Sequence, residues 1–288
     1  MYTTSFIFWI IVVVILICIA FFIIILNIKR TIYETLSRDV NIEYSEELIY
    51  PSNFNIDNFN IEIYKYLINL LINFNKEISN ESYIMNGNIY YLYFGNKKIG
   101  KMILDNNNYL WFVIRGTLTY NEFEYDLKIS QVNINETIKC HQGFYEIYSN
   151  IKSDMIDIIS YISPKKIFCL GHSLGGGILT IASYDLFKLF NKNNICIFIV
   201  GTPRVCNENL SNYVNEFKFF NIQNISDIYV NIIPAILPFY HNVSYDKSGE
   251  IILFNHNTNN VILNHTLEIY LLNIHNYKKL KPLIENNI

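Results

Sequence analysis

The chain has no paired cysteine motif, no basic stripe and no internal repeat. Its 22 basic and 25 acidic side chains leave a formal net charge of −3 over 288 residues. Nucleic acid is therefore not an expected partner. Five cysteines, Cys18, Cys140, Cys169, Cys196 and Cys206, form no C-x-x-C spacing, so neither a disulfide framework nor a zinc site is expected. They read as small apolar residues, with Cys169 and Cys196 in buried strands. Charged residues make up only 16% of the chain and hydrophobic ones 51%, enough for one large α/β domain with a full core. Asparagine, isoleucine, tyrosine and phenylalanine recur throughout. Apolar periodicity persists through them, so the bias reads as that of an AT-rich genome and not as a prion-like tract.

What is present begins with an apolar run from Phe6 to Leu26. As a helix it spans about 30 Å, the thickness of a bilayer core. It is long for a signal-peptide core, no basic residue precedes it and no A-x-A site follows. The expectation is an uncleaved N-terminal anchor over residues 1–30, a polar tether over 31–56 and a folded domain over 57–288. Lys29, Arg30 and Arg38 follow the run, which favours a cytosolic domain over a lumenal one.

Beyond the tether, Asp57 is a candidate N-cap, followed at helical spacing by Phe59, Ile63, Tyr66, Leu67, Leu70, Leu71 and Phe74. Strands are expected over 89–94, 99–104 and 110–114, the first two joined as a hairpin through Gly95-Asn96-Lys97-Lys98. A helix over 145–162 ends at Pro164. A strand over 195–200, a helix over 210–217 and a strand over 219–225 follow. Residues 243–246 and 250–254 read as a second hairpin around Lys247-Ser248-Gly249, and His265 opens a last helix. Alternating strands and helices predict an α/β fold, a mostly parallel sheet with helices on both faces.

The centre of the pattern is Gly171-His172-Ser173-Leu174-Gly175, which fits G-x-S-x-G. An apolar strand over 167–170 precedes it. A helical face of Ile178, Leu179, Ala182, Leu186 and Leu189 follows. Strand, sharp turn and helix are the context of a nucleophile elbow, with Ser173 lifted off the sheet and the Leu174 N–H placed for an oxyanion. A glycine-rich strand-to-helix turn with an incidental serine is the plainer alternative.

A serine nucleophile needs a base and an orienting carboxylate, in the chain order Ser, Asp, His. That order excludes His141, and His172 is expected to be buried beside the serine. Asp227 lies just past a strand, on the side where parallel strands present an active site. Asp185 faces away on the helix after the elbow, and turn chemistry accounts for Asp246. His241, His256, His265 and His275 all follow Asp227. His265 is preferred, because a loop-to-helix junction reaches the sheet's edge, and His256 is second. Thr117, where the strand from Trp111 runs into Arg115-Gly116-Thr117, can offer its N–H and hydroxyl to an oxyanion. Arg115 reads as structural.

From about residue 57 to 275 the chain resembles the class 3, fungal lipase-like α/β-hydrolases. Four blocks carry the resemblance: Trp111 to Leu127, Cys140-His-Gln-Gly-Phe-Tyr-Glu-Ile-Tyr148, Gly171 to Gly176, and Gly201-Thr-Pro-Arg-Val-Cys-Asn207. It implies Ser173, Asp227 and His265 as triad, Thr117 as oxyanion residue and Asp126 bracing it. Two departures stand out. Cys206 replaces the family's usual glycine, and Ile-Tyr-Val-Asn-Ile-Ile-Pro after Asp227 is looser than Asp-x-Val-Pro.

The reading is a membrane-anchored serine hydrolase acting on carboxylic esters of lipids, acylglycerols or phospholipids, with no metal or organic cofactor. Residues 118–125 would form a lid, and Ile236-Leu-Pro-Phe-Tyr240 would line an acyl groove or simply pack. A lipid acyltransferase on the same site and a catalytically dead binding module are the rivals. N-x-S/T sequons include those at Asn80, Asn135, Asn224, Asn242 and Asn264. In so asparagine-rich a chain they are expected by chance.

Overall fold

The computed structural model describes residues 60–79, 88–117, 124–233, 235 and 244–280. The expected anchor, tether, most of the lid segment and Ile236 to Tyr240 lie outside them. Among the described residues no helix is long and apolar enough to cross a membrane.

Helix α1 spans Ile61–Ser79. Asn60, not Asp57, caps it: its Oδ1 accepts from the Glu62 and Ile63 N–H groups at 3.0 and 3.2 Å. Asp57 lies outside the described residues. Strands β1, Asn88–Phe94, and β2, Lys97–Leu104, form the first hairpin. Its turn is Gly95-Asn96, with Gly95 at φ 58°. A two-residue turn with positive φ matches the twist of paired strands, so the second strand starts two residues earlier than periodicity suggested. β3, Tyr109–Ile114, pairs antiparallel with β2.

From β3 onward the sheet turns parallel. The short strands β4, Gln131–Asn133, and β5, Lys139–His141, make a separate pair. Helix α2, Gln142–Ile162, leads to β6, Lys166–His172, and the elbow to α3, Leu174–Leu189. β7, Ile195–Val200, α4, Glu208–Asn215, and β8, Phe219–Asn224, follow. β9, Glu250–Phe254, α5, Leu267–Asn273, and β10, Lys278–Leu280, come last among the described residues. The eight-stranded order is β1-β2-β3-β6-β7-β8-β9-β10, parallel from β3 to β9 and antiparallel at both ends.

Strands buried on both faces need apolar side chains at every position, and β7 reads Ile-Cys-Ile-Phe-Ile-Val, all buried. Ile197 and Ile199 point to the core that α2, α3 and α4 cover. Cys196, Phe198 and Val200 point to the core beneath α1 and α5. The helix after the elbow is buried almost all round, which its single predicted face understated; Leu189 is exposed. Gly177 lets it approach α2, since a Cβ there would lie 2.7 Å from the Phe144 ring.

The second expected hairpin does not form. β9 pairs parallel with β8 and antiparallel with β10. Asp246 makes only a single bridge, to Cys206. The loop's polar groups are satisfied elsewhere: the Lys247 carbonyl accepts from Ser211 Oγ at 2.7 Å and the Ser248 carbonyl from Asn221 Nδ2 at 3.0 Å. That leaves β9 to extend the parallel sheet.

Candidate active site

The carboxyl ends of the central strands are level. Ile114 of β3 pairs with Gly171 of β6, and His172 pairs with Val200 of β7. Ser173 follows at φ 54°, ψ −121°, a conformation costly for any residue with a side chain. The surrounding backbone over-determines it. Its N–H donates to the Val200 carbonyl at 3.0 Å, and its own carbonyl accepts from Gly177 N–H at 3.1 Å. A Cβ at Gly171 would lie 2.7 Å from the Gly175 backbone, and one at Gly175 would lie 2.2 Å from the Ile114 carbonyl oxygen. Only glycine allows the strand and helix to close on the serine. Leu174 opens α3, so its N–H has no acceptor within the helix and is left for another partner.

Three residues from three elements meet here. His265 Nε2 is 2.8 Å from Ser173 Oγ, and His265 Nδ1 is 2.6 Å from Asp227 Oδ2. A carboxylate only accepts, so Nδ1 carries the proton and Nε2 is left to accept from the serine hydroxyl. Asp227 is fully buried at the turn after β8, and His265 nearly so. Burying a carboxylate is costly unless its lone pairs are filled. Here Oδ1 accepts from Tyr229 N–H at 2.9 Å, and Oδ2 from Tyr270 Oη at 2.8 Å as well as from the imidazole. Tyr270 Oη in turn accepts from Asn224 N–H at 3.1 Å. Burial and the neighbouring Asp227 raise the Tyr270 phenol well above its ordinary range, and the same two causes raise Tyr229. Tyr270 therefore stays a proton donor.

His265 stands in a single 3₁₀ turn, Leu263–His265, and the helix proper starts at Leu267. Its ring is flanked by Tyr229, with centroids 4.5 Å apart, and by His172, at 4.8 Å. His172 is half-buried, against the expectation of burial, because its ring lies along the imidazole of His265. Its Nε2–H donates to the His265 carbonyl at 2.9 Å. That commitment keeps it out of the base position and places it as a support for His265. Gly201, at φ +59°, forms the floor: a Cβ there would lie 3.2 to 3.4 Å from Tyr270 Oη, His265 Cε1 and Asp227 Oδ2.

Thr117 sits at the end of β3, and its Oγ1 donates to Asp126 Oδ2 at 3.1 Å. With the hydroxyl proton given to the carboxylate, the Thr117 N–H is the donor left for an oxyanion. The backbone beside Asp126 is held by close packing, since a Cβ at Gly143 would lie 1.8 Å from the Tyr125 carbonyl oxygen. Arg115 donates to the carbonyls of Lys98 and Gly116, each at 2.9 Å, and so fixes the strand end before Thr117.

The other candidates lie elsewhere. His256 meets Asn224 through its backbone, and His275 lies in the 3₁₀ turn after α5. His141 caps α2, its Nδ1 accepting from Phe144 N–H. Asp185 binds Tyr148 Oη and Lys152. His241 lies outside the described residues. Cys140, Cys169, Cys196 and Cys206 are free and buried. Among the described residues no group of three or more His, Cys, Asp or Glu side chains is placed to hold a metal ion. Sequence reasoning missed Tyr270, Tyr229, Gly201 and Asn224. Their partners lie up to 46 positions away, beyond any local spacing.

Comparison with known proteins finds similarity to lipases. A family model described as lipase (class 3) matches residues 111–237. A lipase of Rhizopus niveus is 28% identical over 158 residues, 50% of this chain and 40% of that protein. A secreted mono- and diacylglycerol lipase of Malassezia restricta is 28% identical over 123 residues, 40% of this chain and 39% of that one. The chain thus spans about 40% of the length of these curated relatives. Among solved structures, a lipase from Rhizopus microsporus var. chinensis superposes with TM-score 0.55 at 18% identity, over 71% of this chain and 76% of that one. The triacylglyceride lipase of Rhizomucor miehei gives 0.54 at 18% identity, over 67% and 78%. These likenesses carry the fold.

Proposed function

We propose that this chain, which is similar to class 3 lipases over residues 111–237, is a serine hydrolase cleaving carboxylic ester bonds of lipids. The observation that carries the reading is the continuous line Ser173 Oγ, His265 Nε2, His265 Nδ1, Asp227 Oδ2, with contacts of 2.8 and 2.6 Å. In the first half-reaction Ser173 Oγ attacks the ester carbonyl carbon while His265 Nε2 takes its proton. The Leu174 and Thr117 N–H groups hold the oxyanion, and Asp227 stabilises the imidazolium. Collapse breaks the ester C–O bond, and His265 returns the proton to the departing alcohol. Water, deprotonated by His265, then attacks the acyl-enzyme and releases the acid and Ser173. Acylglycerols are the first substrates to test, because the named relatives are a mono- and diacylglycerol lipase and a triacylglyceride lipase. We also read residues 6–26 as a membrane anchor, on the strength of the apolar run alone.

The test is a panel of mono-, di- and triacylglycerols and phospholipids, with a fluorophosphonate probe, on wild type, Ser173→Ala, His265→Ala and His256→Ala. The first two variants should lose turnover and labelling while remaining folded, and His256→Ala should keep most of both. Wild-type turnover in Ser173→Ala would sink the proposed chemistry. Loss at His256 but not at His265 would overturn the base.

A further inference from the structure

Asn224 stands three residues before Asp227, and Asn264 immediately before His265. Both open N-x-S/T sequons, and neither has a part in the ester chemistry above. Both side chains are buried, Asn224 at 0% exposure and Asn264 at 3%. We infer that Asn224 and Asn264 are positioning residues, two carboxamides that lock the turn carrying the acid to the turn carrying the base. The inference rests on the proposed triad.

The links cross between the turns. Asn264 Nδ2 donates to the carbonyl of Ser226, the residue before Asp227, at 3.1 Å. Asn224 Nδ2 donates to the carbonyl of Asn264, the residue before His265, at 3.2 Å. Each amide spends its second proton on the base-bearing loop: Asn264 on Asn257 Oδ1 at 3.2 Å, Asn224 on the His256 carbonyl at 2.9 Å. Each side-chain oxygen is also occupied. Asn224 Oδ1 accepts from His256 and Ser226 N–H at 3.0 and 3.3 Å, and Asn264 Oδ1 accepts from Thr258 N–H and Oγ1 at 2.9 and 2.8 Å.

Only asparagine meets these demands. Aspartate has the same shape, but it would turn one carboxylate oxygen toward two acceptors and bury a charge with donors at only the other oxygen. The links matter because His265 must reach Ser173 and Asp227 together. A displacement of about 1 Å in a reacting group can cost on the order of 10²-fold in rate. Nothing in the Asp227–His265 bond sets the distance from His265 to the serine. The amide links do, by fixing the backbone on either side. They also consume both amide protons of two sequons, so a glycan at either asparagine and this folded site exclude one another.

The experiment uses the full chain with Asn264→Ala, Asn264→Asp and Asn224→Asp. Asn255→Ala serves as control, because its bond to Ser226 Oγ lies exposed on the same acid-bearing turn. Each amide variant should lower kcat by about 10- to 100-fold with KM within about 3-fold. Fluorophosphonate labelling should slow by the same factor, and the control should match wild type. Proton NMR of histidine-labelled protein should show the His265 Nδ1 proton far downfield in wild type and weakened or lost in the amide variants. That signal keeps the two ideas apart. If wild type shows the resonance but neither labels nor hydrolyses esters, the functional reading fails while loss of the signal in the variants upholds the lock. Asn264→Ala and Asn264→Asp with wild-type kcat and an unchanged resonance would overturn it. So would a kcat loss that vanishes when rates are normalised to folded protein, or an equal loss in Asn255→Ala. Should Asn264→Ala not fold, the isosteric aspartate variants decide by the same readings.

Discussion

Replacing Tyr270 with phenylalanine separates holding the triad from running it. The change removes one oxygen and keeps the ring, which packs edge-on against Phe254 with centroids 5.2 Å apart. Two bonds go with it. The Asp227 carboxylate loses a donor at 2.8 Å, and the Asn224 N–H loses its acceptor at 3.1 Å. A hydrogen bond to a charged group contributes about 1.5–3 kcal/mol, and a buried donor left unsatisfied costs about 1–3 kcal/mol. The carboxylate loss is softened, since Oδ2 keeps the imidazole and Oδ1 keeps Tyr229 N–H. The backbone loss is not softened, because Asn224 is fully buried and water cannot replace the hydroxyl. The variant should therefore be less stable by about 3 kcal/mol, or about 6–12 °C in Tm for a domain of this size.

Catalysis should suffer far less. The His265–Asp227 bond survives, so kcat should fall by less than about 10-fold. Sign and pH window follow from the phenol. Its folded pKa lies above the unfolded value, so the stability it contributes is complete below about pH 10 and lost only above it. The gap between wild type and variant should accordingly stay constant from about pH 6 to 9. Urea titrations at several pH values, with parallel kinetics, read both quantities. A stability loss under about 1 kcal/mol would show that the hydroxyl does not hold the acid. A kcat drop of about 10³-fold at unchanged stability would make Tyr270 part of the chemistry.

Thr117→Val should lower kcat by roughly 10²-fold, because loss of the hydroxyl frees the strand end from Asp126 and lets the N–H drift from the oxyanion; a rise in KM alone would make Thr117 a binding residue. His141, its pKa pushed down to about 4 by burial, should cost the fold about 3 kcal/mol as pH falls from about 6.5 to 4. The unfolded state takes the proton first, so His141→Gln should flatten that part of the stability curve, and an unchanged slope would refute the assignment. Expressed in a eukaryotic cell, the full chain should show no mobility shift with a glycosidase. A shift would place the domain in the lumen and reverse the proposed orientation.

What could be read from the sequence was short in range. The strand before Ser173, the glycines at 171 and 175 and the helix after them lie within one turn of each other. Sterics at that turn leave few other structures, and both glycines do abut backbone atoms. Asp227 and His265 could be narrowed by chain order and by the expected strand ends, yet His256 stayed in contention. What separates the two histidines is tertiary: the His256 backbone is tied to Asn224, while the His265 ring points at the serine. The misjudged hairpin had the same cause. Lys247-Ser248-Gly249 has turn composition, but its carbonyls are taken by Ser211 and Asn221 from other elements. Tyr270 gave no local signal, since an apolar position in a terminal helix looks the same whether or not its hydroxyl finds a carboxylate 43 positions away.

The asparagines show how composition and function meet. In a chain this rich in asparagine, sequons arise by chance, and their presence says little about compartment. Two of them, at Asn224 and Asn264, fall where the fold uses both protons of each amide. Glycosylation replaces one of those protons with a bond to sugar. A chain modified there before folding would have to assemble the acid and base turns without at least one of their links, around a group with no space to occupy. Such a site is compatible with a compartment that lacks the glycosylation machinery, or with folding that outruns it. The basic residues Lys29, Arg30 and Arg38 after the apolar run favour the first of these by charge asymmetry. The expected cytosolic orientation thus rests on the charge asymmetry around the apolar run, and the hydrogen bonds of the two asparagines are compatible with it.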